Sequence, residues 1–101
     1  MRRAIVLSNE ARAQLDDLYD YIAEAASSDT ALRFTSALLD QLETLRDFPN
    51  VGTQRDDILP GLRTFGFRRR VTIAFVIEPN EVLIVGLFYG GQDFEGVLKD
   101  D

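Results

Sequence analysis

Residues 71–89 read VTIAFVIEPNEVLIVGLFY, and the fold turns on how this stretch is read. From Val71 to Ile77 the side chains alternate, so that Val71, Ile73, Phe75 and Ile77 share one face of an extended strand while Thr72, Ala74 and Val76 share the other. Glu78-Pro79-Asn80-Glu81 supplies turn residues, and Val82 to Tyr89 returns as the second strand of a hairpin. Both faces of this pair are apolar. One face has to receive helices, and the other needs a cover from the C-terminal segment or from a partner protein.

Working upstream, Pro60-Gly61 marks a turn and Gly61 to Phe67 reads as one more strand. Arg68, Arg69 and Arg70 read as the opening of the Val71 strand, which would send alternate side chains to opposite faces and keep all three out of any one pocket. One of them is expected to pair with an acid on the helices.

The first half has a different period. Arg3 to Leu7 is a short strand that stops at Ser8, a residue suited to cap the following helix. Ala11, Leu15, Leu18 and Ile22 recur at helical spacing from Asn9 to about Ala26. Ser27, Ser28 and Asp29 offer new caps, and Ala31, Phe34, Leu38, Leu42 and Leu45 carry a second helix from about Thr30 to Asp47. Phe48-Pro49-Asn50-Val51-Gly52 ends it. The expected architecture is α+β: a short N-terminal strand, a helical hairpin, then a three-stranded antiparallel meander with the helices packed on one face of the sheet.

A chain of 101 residues and 11.4 kDa is expected to form one domain, 1–101. Its net charge is −6, which argues against a general nucleic-acid coat protein. That charge is unevenly spread, because residues 51–71 hold Arg55, Arg63, Arg68, Arg69 and Arg70 against only Asp56 and Asp57. With no cysteine there is no disulfide, thiol nucleophile or thiolate metal site. With no histidine there is no Ser-His-Asp triad and no imidazole acid-base pair. No stretch approaches the roughly 20 apolar residues of a membrane span, so a cytoplasmic location is the expectation. Asp16, Asp17 and Asp20 lie on a helix surface with no loop to wrap an ion, and no metal or other cofactor is expected.

Several segments, in order, resemble the ParE branch of the ParE/RelE superfamily of type II toxin-antitoxin systems. They are Ala11 to Ala26, Leu45 to Gly52 (LRDFPNVG), Arg55 to Arg63 (RDDILPGLR), Arg69 to Val76 (RRVTIAFV) and Phe88 to Phe94 (FYGGQDF). The last is similar to the family's closing His-Gly-x-Arg-Asp segment, with Tyr89 in place of the His and Gln92 in place of the Arg. Roles that the family assigns to those two side chains are therefore not carried over.

The resemblance implies a toxin neutralised by a ParD-like antitoxin, whose C-terminal segment wraps the toxin while its N-terminal part dimerises and binds operator DNA. Direct nucleic-acid binding by the toxin is not expected. DNA gyrase is the target the ParE branch implies, reached by binding rather than by catalysis. The RelE branch supplies the alternative, a ribosome-dependent mRNA endonuclease, and a non-toxic relative that keeps antitoxin binding is a third reading. For RNA cleavage the local candidates are Arg63, the three following arginines and Tyr89, and arginine is too firmly protonated to serve as a base. Arg63, Arg68, Arg70 and Tyr89 are the candidate antitoxin contacts, internal salt bridges being the competing role for the arginines. Gln92, Asp93, Phe94 and Leu98 either present a target-facing surface or cap the core. Tyr19 and Tyr21 are read as rim packing of the helical hairpin.

Overall fold

Two serines set the helical hairpin. In the computed structural model, which describes residues 2–89, the Ser8 hydroxyl accepts from the Ala11 N–H at 3.0 Å and Ser27 accepts from the Thr30 N–H at 3.1 Å. Each satisfies one of the free donors of a helix start, giving α1 (Asn9–Ala25) and α2 (Ser28–Glu43). The second helix is shorter than its periodicity predicts. At Thr44 the hydroxyl donates to the Gln41 carbonyl at 2.6 Å, and the chain tightens into a 3₁₀ turn over Thr44–Arg46. That turn still buries Leu45, the last residue of the apolar stripe.

The strands are β1 (Ala4–Leu7), β2 (Thr53–Gln54), β3 (Leu62–Phe67), β4 (Val71–Ile77) and β5 (Glu81–Tyr89), in the spatial order β1-β5-β4-β3-β2. β1 lies parallel to β5 and every other pairing is antiparallel, so the meander is the centre of a five-stranded mixed sheet. β2 has no counterpart in the sequence reading, because two residues are too few to show a period. It pairs Thr53 with Thr64 and Gln54 with Arg63, and it is reached through Gly52 at φ 77°. A Cβ on Gly52 would collide with the Thr64 carbonyl oxygen, so this close approach requires glycine.

The two faces of the sheet are covered differently. Leu18 of α1 and Leu38 and Leu42 of α2 pack with Val71, Ile73, Phe75, Ile84 and Leu87 into the main core. On the reverse face Leu62, Ala74 and Phe88 are covered by Ile58, with Leu59 packed alongside. The cover comes from the 55–61 segment, which the Leu59–Leu62 turn folds back: Gly61 sits at φ 79° and the Leu62 N–H donates to the Leu59 carbonyl at 3.1 Å.

A bulge at Val85 ties α1 to this sheet. Ala74 pairs with Gly86 but Phe75 pairs with Ile84, leaving Val85 as the extra residue. α1 and its cap bond to the other edge of β5, where β1 ends at Leu7. The Ser8 N–H donates to the Ile84 carbonyl at 2.9 Å, the Ser8 hydroxyl reaches the Val85 carbonyl at 3.4 Å, and the Leu87 N–H donates to Gln14 Oε1 at 2.7 Å.

Candidate functional site

The three arginines do not open β4. They form the connection from β3 to β4, a turn closed by the Arg70 N–H donating to the Phe67 carbonyl at 3.0 Å. Its central residues Arg68 and Arg69 stand at φ 52° and 57°, the positive values that mark the mirrored hairpin turn. Because a turn does not alternate as a strand does, all three side chains line one groove. This corrects the expectation that they divide between two faces.

The groove has a volume of about 670 Å³ and lies between this turn, the α1–α2 hairpin and the end of β5. Tyr21 of α1 and Tyr89 of β5 meet there at a tilt of 43° with ring centroids 5.5 Å apart, and Ile22 and Phe34 contribute apolar surface. The Arg68 guanidinium lies over the rings of Phe67 and Phe34, at 5.0 and 5.8 Å from their centroids. Burial pushes the Tyr89 phenol above its ordinary value, and Asp17, Tyr21 and Asp20 push it further the same way. The phenol is thus a proton holder at neutral pH.

Charge satisfaction divides the basic stretch. Arg55 is held by Asp57 through two contacts of 3.0 and 2.9 Å, and Arg63 donates to the Val51 carbonyl at 3.2 Å. Arg68, Arg69 and Arg70 are exposed and form no ion pair among the described residues, so the expected salt bridge to a helical acid is not made. Of the candidate contacts, then, Arg68, Arg70 and Tyr89 come together in the groove and Arg63 does not line it. Arg69 joins them, as does Tyr21, read from the sequence as packing yet 57% exposed. Gln92, Asp93, Phe94 and Leu98 lie outside the described residues.

No described helix is long and apolar enough to cross a membrane, and among the described residues no group of acids is placed to hold a metal ion. What the groove offers chemically is guanidinium donors beside apolar and phenolic surface, a combination suited to holding an anionic chain.

Comparison with known proteins bears on most of the chain. Residues 5–94 match the family model described as the ParE toxin of the type II toxin-antitoxin system parDE. Among solved structures, a chain of the chromosomal ParDE TA system from P. aeruginosa superposes with a TM-score of 0.76 at 24% identity, covering 87% of this chain and 96% of that one, a likeness of fold. No curated relative matches.

Proposed function

This chain belongs to the ParE toxin family of type II toxin-antitoxin systems, and from that membership we propose that it is a toxin that acts by binding, with DNA gyrase as its target and a ParD-like antitoxin as its partner. The family match over residues 5–94 carries the reading.

The chemistry of the groove supports binding over catalysis. RNA cleavage needs a group that takes a proton near neutral pH. The chain has no histidine, its one lysine is Lys99, no Asp or Glu is among the described residues that line the groove, and the Tyr89 phenol, raised above its ordinary value, holds its proton at neutral pH. Arginine stabilises charge but does not abstract protons. Arg68, Arg70 and Tyr89 are the antitoxin contacts that the groove favours. Arg63, already donating to Val51 O, takes at most a supporting part.

The test is a supercoiling assay with the purified chain and gyrase, alongside co-expression with a ParD-like antitoxin. Inhibition of supercoiling that the co-purifying partner relieves is the expected result. Ribosome-dependent RNA cleavage without gyrase inhibition would select the endonuclease reading instead, and a lack of toxicity on expression would select the inert relative.

A further inference from the structure

The Phe67–Val71 turn combines a costly backbone with unspent charge. A hairpin turn with positive φ at both central positions ordinarily takes Asn-Gly, because side chains with a Cβ crowd the backbone there. Here both positions are arginine, at φ 52° and 57°. Neither these two nor Arg70 spends its charge on an ion pair within the described residues. Arginines that stand where the backbone disfavours them, with no acidic partner among the described residues, point to an external one.

We propose that this turn is a carboxylate-recognition element, holding its strain to present neighbouring guanidinium forks, and that the groove beside it takes an acidic, partly apolar segment of a partner protein. The identity of that partner as the antitoxin rests on the toxin-antitoxin reading above, whereas the ligand chemistry follows from the site. Arg68 is pre-positioned by the Phe67 and Phe34 rings, which orient the guanidinium and leave its edge free for a bidentate carboxylate. Beyond it, Ile22, Phe34 and the Tyr21–Tyr89 pair accept aliphatic side chains. A nucleic-acid strand is the poorer fit. A phosphate backbone is charged at every step, so a strand running from the arginines to the tyrosine wall would bring phosphates against Asp17 and Asp20, whereas a peptide can seat its carboxylates at the arginines and its aliphatic side chains at that wall.

The test uses the full chain in three forms: unaltered, Arg68→Asn with Arg69→Gly, and Arg68→Lys with Arg69→Lys. The probe is a dodecapeptide of alternating Glu and Leu, followed by the emission of the chain's three tyrosines, which no tryptophan masks. A dodecathymidylate strand is the competitor. The Asn-Gly form is expected to melt about 4–8 °C higher, the shift that relief of roughly one strained residue gives a domain this size, while binding the peptide at least about tenfold more weakly. The lysine form is expected to keep the original melting temperature and lose about threefold or more in affinity, because it retains charge without the fork. An Asn-Gly form that is no more stable would overturn the strain. Unchanged peptide affinity in that form, no binding by the unaltered chain, or tighter binding of the oligonucleotide would overturn the assigned ligand. Binding that emerges only after Asp93, Glu95, Asp100 and Asp101 are neutralised would hand the groove to the chain's own C-terminal segment and overturn the partner. Failure of any antitoxin to co-purify, with peptide binding intact, would overturn the toxin-antitoxin reading alone.

Discussion

At Val85 the β5 strand carries one residue more than β4 opposite it, and on the other edge of β5 the cap and first turns of α1 bond to the backbone on either side of the bulge. At Arg68–Arg69 the β3–β4 connection runs through two positive φ angles, and none of the three guanidinium groups is taken up in an ion pair within the described residues. Both are departures from a regular sheet. One is braced from inside by a serine and a glutamine, and the other keeps its charges outward beside an open groove. The difference separates irregularity that holds the fold together from irregularity that equips a surface. Substitutions at the first should cost stability, and relaxing the second should raise it.

The sharpest way to break this contrast is at the residue just past the bulge. Phe75 is fully buried and stands edge-on to Phe65, with ring centroids 5.8 Å apart. Phe75→Ala is expected to cost about 3–5 kcal/mol, read as a lowered urea midpoint, since the cavity sits where helices and sheet meet. A loss under about 1 kcal/mol would mean that the core around the bulge collapses freely and is no anchor.

Gln14→Leu tests the bracing itself. It removes the acceptor of the Leu87 N–H and leaves that part-buried donor unpaired, for an expected loss of about 1–3 kcal/mol in the same measurement. Ser8→Ala removes both an N-cap and a contact to the Val85 carbonyl, at about 0.5–2 kcal/mol. If these two are neutral while the Asn-Gly turn is stabilising, the bulge needs no bracing and the contrast between the two regions fails on its structural side.

Legibility in the sequence follows the same division. β4 occupies the span its alternation marks out, Val71–Ile77, because Val71, Ile73 and Phe75 all have to enter the core under the helices, which enforces a period of two. The Ser8 cap is equally local, a small polar residue just ahead of a helical stripe. Its second task, and that of Gln14, leaves no such mark, for the partners lie 77 and 73 residues away. The arginine turn was hidden for the opposite reason. The usual Gly, Asn or Asp is missing from Arg68–Arg70, so the chain reads there as a continuing strand. What conceals the turn is the feature that marks it as a surface for recognition. Tyr21 and Phe34 sit on separate helices and meet the turn only through the packing of the hairpin on the sheet, which no spacing along the chain encodes.

The smallest effect expected is at Tyr89, where the groove meets the end of β5. Burial first, then Asp17, Tyr21 and Asp20, raise its phenol above the ordinary 10.0, all disfavouring the ionised form in the folded chain. The unfolded chain therefore releases this proton at a lower pH than the folded one. Below about pH 10 both states hold it and Tyr89 adds no pH dependence. From there upward the unfolded state binds fewer protons, so stability falls as pH rises toward the folded value. Tyr89→Phe keeps the ring against Tyr21 and removes the titration, so its stability near neutral pH should stay within about 0.5 kcal/mol while its alkaline decline becomes shallower. Tyrosinate absorbance gives the direct reading: the titration lost from the variant should lie above the ordinary tyrosine value. If the lost titration lies at the ordinary value, water reaches the Tyr89 hydroxyl freely, and the groove loses the shielded wall that would strengthen a carboxylate pairing with the arginines beside it.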